Sequence, residues 1–305
     1  MTTTTIKKVI KMIKDNKNDI AFVVGNGINR YPNNPKALSW DDLLNQLGEK
    51  VSPQILKKRP NGISLTEFYN ILELEKTPDI NLQEEVVKLM KDWEHKDHHK
   101  NITARINELN APILTTNFDE TIAKTFNYKL FKTKGEKFTD FYPWTTYHGE
   151  NEFKLPTDGF GIWYINGMIK YPRSIRLGIS HYMGSIERAR NLLHDGNDCL
   201  FSRKKDKNAN EWKGSNTWLH IIFNKSLFIF GLGLEENEIF LRWLLIERMR
   251  YFKCFPERVH KGWYITKRSD NETDKGKKLF LKFVGFEVIE VDDYADIYEN
   301  IWSWK

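Results

Sequence analysis

The amino-acid sequence predicts an α/β fold in which a doubly wound parallel sheet is enlarged by a helical insertion. Short uninterrupted apolar runs, such as Ile20–Val24 and Leu227–Phe230, are typical of strands buried on both faces of a parallel sheet. Segments with helical periodicity separate these runs, so that strand, loop, helix and strand alternate along the chain. Glycine or polar residues follow the ends of four predicted strands, where the ligands of such sheets bind.

Length and composition are those of a folded protein. The 305 residues include 19 Phe, 12 Tyr and 10 Trp, an apolar content that excludes intrinsic disorder. We expect one domain over residues 1–305, because no low-complexity linker divides the chain. The two cysteines, Cys199 and Cys254, are too few for a zinc ribbon or a disulfide framework, and they favour a reducing, cytoplasmic compartment.

Hydropathy and charge narrow the range of partners. The chain shows no signal peptide and no run of 18 uncharged apolar residues, so we expect neither secretion nor a membrane partner. The net charge of +6 is a mild basic bias over a chain of this length. A nucleic-acid-binding module is a weaker alternative without a recognisable motif, and nucleic acid is expected only as an indirect partner.

The first half of the chain is predicted to be mainly helical around two strands. Strand Ile20–Val24 is followed by a helix over Trp40–Leu47, for which Ser39 is the N-cap. The second strand is predicted over Pro112–Thr116. Further helices are predicted at Ile6–Ile13, Leu65–Glu75, Glu84–Trp93 and His98–Leu109. The two strands lie much farther apart than one crossover helix requires, which predicts a helical insertion over about residues 40–110.

The second half repeats the alternation of strand and helix. A helix over Glu120–Phe126 precedes an irregular, aromatic insertion over about residues 129–160, where no clean period occurs. Residues 195–215 are polar and are predicted to form an exposed loop. The remaining predicted elements are, in chain order, strand Gly161–Gly167, helix His181–His194, strand Leu227–Phe230, helix Ile239–Tyr251, strand Gly262–Thr266, helix Lys277–Val284, strand Phe286–Val291 and a short helix from Tyr294.

Four strand ends carry the residues that could perform chemistry. They are Gly25-Asn26-Gly27, Thr115-Thr116-Asn117-Phe118-Asp119, Asn166-Gly167 and Gly231-Leu232-Gly233. Glycine at such an end lets backbone N–H groups approach a phosphate, although a tight turn without a ligand is the better explanation of any single pair of glycines. The second end combines two hydroxyls, an amide and a carboxylate. Capping of the next helix would explain Asp119 but leaves Asn117 without a reason.

Taken together, these motifs resemble those of the sirtuin-like NAD-binding domain. Gly25–Asn29, Thr116–Asp119 and Gly231–Leu234 match its motifs in order and spacing, and the chain is most similar to the bacterial sirtuin-like NADases of anti-phage defence. The resemblance covers about residues 18–292. It implies a Rossmann-like sheet, NAD as ligand and cleavage of the nicotinamide–ribose bond. It also implies a regulated effector that acts as a homo-oligomer or with a partner defence protein.

The resemblance assigns expected roles to the strand ends. Asn117 would orient the nicotinamide ribose and the attacking water, and Asp119 is the acidic residue of the same motif. The positions expected to be catalytic are Asn117, Asp119 and Asn166. The residues expected to bind the cofactor are Gly25, Asn26, Gly27, Ile28, Asn29, Thr115, Thr116, Gly231, Leu232 and Gly233.

One position departs from the family pattern. Members carry His-Gly after the third strand, with the histidine as base, whereas this chain has Asn166-Gly167. A side-chain amide does not accept a proton at neutral pH. Three alternatives stay open: another residue supplies the base, water and binding suffice for a slow reaction, or the domain binds NAD or ADP-ribose as a sensor or regulatory subunit. His148 and His181 are possible substitutes, and a capping or surface role is the alternative for His181.

No metal is expected. Protein-deacetylating sirtuins carry a cysteine-rich zinc module that this chain lacks, so the resemblance implies NAD hydrolysis without zinc rather than deacetylation. His95, His98 and His99 are spaced to share one helix face, which would allow a metal site. Charged neighbours favour a solvated helix face instead.

Overall fold

The computed structural model describes residues 2–54, 56–133, 142–202, 209–269 and 271–304. Its strands are β1 (Ile20–Val24), β2 (Ile113–Thr115), β3 (Lys129–Lys132), β4 (Thr146–Gly149), β5 (Gly161–Tyr164), β6 (Ser226–Phe230), β7 (Gly262–Lys267) and β8 (Glu287–Val291). They form one sheet in the order β3-β4-β5-β2-β1-β6-β7-β8. Strand β4 pairs antiparallel with both neighbours, and the other adjacent pairs are parallel. The parallel strands run outward from β1 in both directions, so the predicted doubly wound architecture is confirmed.

Helices cover both faces of the sheet and form the predicted insertion. They are α1 (Thr2–Asp15), α2 (Gly27–Arg30), α3 (Trp40–Val51), α4 (Leu65–Glu75), α5 (Leu82–Met90), α6 (Asp97–Glu108), α7 (Thr121–Lys124), α8 (Ile179–His194), α9 (Leu219–Asn224), α10 (Ile239–Cys254), α11 (Glu272–Phe283) and α12 (Tyr294–Tyr298). The predicted N-cap of α3 is confirmed, because the Ser39 hydroxyl accepts a hydrogen bond from the Asp42 N–H at 3.1 Å. None of the helices in the described residues combines the length and apolarity that a membrane crossing requires.

Three apolar clusters hold these layers together. Alternate residues of β1 enter opposite clusters: Ala21 and Val23 face the side covered by α8 to α10, while Phe22 faces α1 and the C-terminal residues. The third cluster lies inside the insertion, between α3, α4 and α5, and also takes in Phe118 and Ile175. The insertion therefore packs directly on the loops that follow β2 and β5, which places it over one end of the sheet.

Two segments predicted to be irregular or exposed are partly ordered and buried. Residues 129–160 contain β3 and β4, where Tyr147 stacks on Trp163 of β5 with ring centroids 4.3 Å apart. Residues 134–141 of this segment lie outside the described residues. In the polar stretch 195–215, the described residues, which omit 203–208, form no helix or strand and are mostly exposed or half-buried, as predicted, but Leu200 and Trp212 are buried. A strand of four residues is too short to show a periodic pattern, and a single buried aromatic residue shows none.

Candidate functional site

A cleft of about 670 Å³ lies beyond the carboxyl ends of the central strands. The loops after β1, β2, β6 and β7 line one wall, and residues of the insertion, including Trp40, Leu43 and Thr66, line the other. The strand order reverses between β1 and β6, and open α/β sheets bind their ligands at this switch point. The volume is within the range of small-molecule and cofactor sites.

The loops after β1 and β6 contact each other backbone to backbone. The Gly27 N–H donates to the Gly231 carbonyl at 2.7 Å, and the Gly25 N–H donates to the Phe230 carbonyl at 3.1 Å. A Cβ atom on Gly25 would lie 2.5 Å from the Gly231 oxygen and 2.6 Å from the Leu232 Cα. Gly25 is thus required by the close approach of two chain segments. The Gly27 N–H, expected at a phosphate, is already bonded within the protein.

The turn after β2 presents Asn117 to the cleft. The Thr115 hydroxyl donates to the Val24 carbonyl at 3.0 Å and accepts from the Asn117 N–H at 3.1 Å, which links this turn to β1. Asn117 is 6% exposed, and its side-chain nitrogen has no hydrogen-bond partner among the described residues. A buried amide donor without a partner costs about 1–3 kcal/mol. A ligand that accepts this hydrogen bond in the cleft would recover that free energy.

Asp119 lies behind the cleft in a buried hydrogen-bond network. Its carboxylate accepts from the Asn29 side-chain amide at 2.8 Å and from the Thr121 N–H at 3.0 Å, at the first residue of α7. The Thr121 hydroxyl donates to the Asn29 side-chain carbonyl at 2.8 Å. Burial raises the pKa of Asp119 above its usual range. Asp119 therefore binds the first N–H of α7, although Glu120, and not Asp119 as the capping alternative predicted, occupies the N-cap position, and it also ties the β1 loop to the β2 loop.

The histidine cluster before and within α6 supports the same network. The His99 Nδ1 accepts from the Lys96 N–H at 3.1 Å, so Nε2 carries the proton and donates to the Asn29 side-chain carbonyl at 3.0 Å. His98 contacts the Ile28 carbonyl at 2.7 Å through Nε2. Both rings are buried, so the solvated helix face was wrong. Within the described residues, no group of three or more His, Cys, Asp or Glu side chains is arranged to hold a metal.

The two substitute histidines lie outside the cleft lining. His181 accepts from the Leu177 N–H at 3.3 Å and the Gly178 N–H at 3.5 Å, which caps α8. Burial lowers its pKa to about 4. His148 belongs to β4 and contacts the Tyr164 hydroxyl at 2.9 Å through Nδ1. His181 therefore has the capping role that was the alternative, and His148 is an internal residue of the sheet.

Asn166 is buried in the turn after β5. The backbone carbonyl of Asn166 accepts a hydrogen bond from the Arg176 N–H at 2.8 Å. The side-chain amide of Asn166 donates to the backbone carbonyl of Thr116 at 3.3 Å. Gly167 has φ +94°, and a Cβ there would lie 2.1 Å from the Ser174 oxygen, so only glycine fits. The turn is thereby fixed on both sides, and the Asn166 side chain is held toward the end of β2.

The loop after β6 adds a carboxylate to the cleft. Glu238 immediately precedes α10 and lines the cleft. Burial, with repulsion from Glu235, raises the pKa of Glu238 to about 7. Three glutamates stand in the loop after β6, and nothing in the sequence distinguishes Glu238 from Glu235 and Glu236.

The raised pKa of Glu238 predicts a pH-dependent stability. Its carboxyl binds a proton more tightly in the folded chain than in the unfolded one, so its contribution to stability is lost as pH rises through about 7. Glu238→Gln is therefore expected to be more stable than the native chain at pH 8, by about 1–3 kcal/mol, with little difference at pH 4.5. Urea unfolding at both pH values measures this. The exposed Glu236→Gln is the control, and an equal response of both variants would contradict the prediction.

The cleft carries charges of both signs. Two cations of the lining are paired with lining carboxylates: Arg59 with Asp41 at 2.7 Å and Lys277 with Asp274 at 2.6 Å. The other lining cations are Arg30, Lys267 and Arg268, of which Arg268 pairs with Asp292 at 3.0 Å. Lys267 is the last residue of β7 and Arg268 follows it, so the rule about strand ends would also have identified these two residues. Cations of this kind attract phosphate groups.

The structure brings the predicted site residues together at the cleft. Some of them line the cleft, and the others lie behind its lining. The predicted residues that line the cleft are Asn26, Gly27, Thr116, Asn117, Gly231, Leu232 and Gly233. The predicted residues that lie behind this lining are Gly25, Ile28, Asn29, Thr115, Asp119 and Asn166. The second set holds the loops in place through buried hydrogen bonds and close packing, so it acts on the cleft indirectly.

Comparison with known proteins does not assign the chain to a family. No protein-family model matches the chain, and no curated protein matches it. The function is therefore argued from the geometry and chemistry of the cleft.

Proposed function

We propose that the protein binds NAD in this cleft and hydrolyses the bond between nicotinamide and ribose. The observation that carries the proposal is Asn117, whose buried side-chain nitrogen has no hydrogen-bond partner among the described residues, in the cleft at the switch point of a doubly wound sheet. Dinucleotides bind across such a switch point. The cleft volume and the cations Arg30, Lys267 and Arg268 suit a dinucleotide with a pyrophosphate.

The reaction requires little chemistry beyond positioning. Nicotinamide is a good leaving group, so the site must hold the ribose, stabilise a developing positive charge and admit water from one face. The Asn117 amide can donate to a ribose hydroxyl and accept from a water molecule. The carboxylates Glu235 and Glu238 supply negative charge to the same cleft. These groups support the proposal because each meets one of those requirements.

The resemblance to sirtuin-like NADases extends the proposal to biology. It supports a regulated effector in anti-phage defence that acts as a homo-oligomer or with a partner defence protein. Expression of the native chain and of Asn117→Ala in a phage-challenged host tests this role. Equal protection by both would contradict it.

Asn117→Ala is expected to lower the rate of nicotinamide release at least 100-fold, since loss of one group that positions the reacting atoms costs about 10²–10³ in rate. Chromatographic measurement of nicotinamide from purified protein and NAD provides the test. Asn18→Ala is the matched control. Asn18 is exposed and lies just before β1, at the end of the sheet opposite to the cleft. Equal rates for both variants would contradict the role of Asn117.

A sensor or regulatory subunit that binds NAD or ADP-ribose without cleaving it is a second candidate. The observation in its favour is Asn166, an amide that cannot act as a base. Calorimetry with NAD and ADP-ribose, combined with the release assay, separates the two functions. Binding without release, from the native chain and from Asn166→His, supports the sensor. Failure to bind either nucleotide overturns both candidates.

A further inference from the structure

We infer that the exposed face of α1 is a docking surface for double-stranded nucleic acid, whose phosphate groups contact the lysines of this helix. The inference goes beyond the proposed function, because no residue of α1 lines the cleft. It concerns a partner of the chain and does not depend on NAD binding.

The first support is the distribution of charge along the chain. Residues 1–18 contain five lysines and one aspartate, so this segment carries four of the six net positive charges of the whole chain. The rest of the sequence is therefore close to neutral. What is a mild basic bias over 305 residues is a basic surface at one place, and such a surface attracts polyanions.

The second support is the position of the lysines on the helix. One face of α1 is fixed in the core, because Ile6, Val9 and Ile13 are buried in the apolar cluster that also contains Phe22. With about 100° of rotation per residue, the lysines of α1 fall within about 120° of the helix circumference, on the other side. All four are exposed: Lys7, Lys8, Lys11 and Lys14. The core therefore holds these charges on one rigid face.

The third support is that carboxylates do not neutralise this face. Among the residues that the structure describes, Lys7, Lys8 and Lys11 form no ion pair. Asp15, at the end of the helix, is the one acidic residue in the sequence of α1. Lysines without carboxylate partners release bound counterions when they contact phosphate groups, and this release drives binding to nucleic acids.

The chemistry of this face favours a duplex over a single strand. Proteins that bind single strands stack the bases on aromatic side chains, and α1 has no aromatic residue. The Trp304 ring of the C-terminal residues already contacts Lys14, Arg105 and Trp302. Four lysines over about 11 Å of helix correspond to about three phosphates that one strand of a duplex presents over the same length.

The same face does not suit a membrane surface. Interfacial helices bury their apolar side chains between the lipid headgroups, whereas the apolar side chains of α1 pack against the core of the protein. Duplex nucleic acid requires only the charged face. Because phosphate contacts carry no sequence information, we expect binding that does not depend on base sequence.

The test measures binding of the full chain to a labelled DNA duplex by fluorescence anisotropy over a series of NaCl concentrations. For the native chain, the logarithm of the binding constant should fall against the logarithm of salt concentration with a slope of about −3. The triple variant Lys7→Gln/Lys8→Gln/Lys11→Gln should bind at least about tenfold more weakly at low salt, with a slope between about −1 and 0. Arginine at the same three positions keeps the charge and should preserve native binding.

Lys91→Gln/Lys253→Gln/Lys282→Gln is the matched control. It removes the same total charge from exposed positions on α10, on α11 and directly after α5. Its affinity for the duplex should stay within about threefold of the native value. Urea unfolding of both triple variants checks that they fold like the native chain. Nicotinamide release is a separate assay, and the variant in α1 should release nicotinamide at the native rate.

The outcomes that overturn the inference are distinct from those that bear on NAD hydrolysis. Absent or salt-independent binding of the duplex by the native chain overturns it, and so does an equal loss of affinity in the two triple variants. Tighter binding of a single strand than of the duplex assigns another partner to the face and also overturns it. Sedimentation with phosphatidylserine vesicles, without duplex binding, does the same. None of these results concerns nicotinamide release.

Discussion

Gly25→Ala is expected to lower the free energy of unfolding by about 3 kcal/mol and to disrupt the cleft. The new Cβ would lie 2.5 Å from the Gly231 oxygen and 2.6 Å from the Leu232 Cα, and both neighbours are backbone atoms that cannot rotate away. The loops after β1 and β6 would have to separate, which moves Asn26 and Gly233 on the cleft wall. ADP-ribose affinity and nicotinamide release are expected to fall with stability.

Gly276→Ala is the matched control for this substitution. Gly276 is exposed within α11, and a Cβ there meets no atom within 4 Å. Alanine in a helix interior is favoured over glycine by about 0.5–1 kcal/mol, so this variant should be slightly more stable. Urea unfolding of both variants measures the difference. A Gly25→Ala protein as stable as the native chain would show that the two loops do not require this contact.

Arg248→Ala is expected to lower the free energy of unfolding by about 3–5 kcal/mol. The Arg248 guanidinium is 1% exposed and donates to the carbonyls of Ile222, Lys225, His260 and Lys261 at 2.8 to 3.1 Å. It also lies over the Phe252 ring, 4.4 Å from the centroid. Alanine removes the donor that these four carbonyls share, although the Lys261 carbonyl keeps the Leu227 N–H, and it opens a cavity where α9, α10 and the start of β7 meet.

Two further variants test the reason for the Arg248 effect. Arg248→Lys should recover less than half of the loss, because one ammonium cannot reproduce a planar group that bonds four carbonyls. Arg190→Ala, at an exposed position of α8, should change stability by less than about 0.5 kcal/mol. Thermal and urea unfolding give both values. If Arg248→Ala and Arg190→Ala had the same free energy of unfolding, the structural role of Arg248 would be contradicted.

Local sequence patterns were sufficient for the central architecture. The strands β1 and β6 are continuous apolar runs, and their residues pack into the apolar clusters on both faces of the sheet. A strand that is buried on both faces requires apolar residues at successive positions, so its sequence is easy to identify. The insertion was predictable because the segment between the first two predicted strands is helical and much longer than one crossover helix requires. The strand ends at Gly25, Asn117 and Gly231 followed from the same pattern.

Short or environment-dependent features were not predictable in this way. Strands β3 and β4 have four residues each, too few to establish a period. His98 and His99 stand among charged residues, yet they are buried against the Ile28 carbonyl and the Asn29 side chain. The charged neighbours of these histidines in the sequence do not indicate that they are buried, because the burial comes from packing of the start of α6 against the loop after β1. The resemblance implied a catalytic role for Asp119, and the structure places this residue behind the cleft lining.

The sequence by itself determined the doubly wound sheet, the helical insertion and the strand ends that meet at the cleft. These features depend on periodicity, turn residues and spacing, which act locally along the chain. Only the tertiary structure decided which side chains of those ends face the cleft and which hold it from behind. Asn117 and Glu238 follow β2 and β6, two strands that are separated in the sheet by β1. Both line the cleft because these strands are packed into one parallel sheet, and no local pattern encodes the order of the strands.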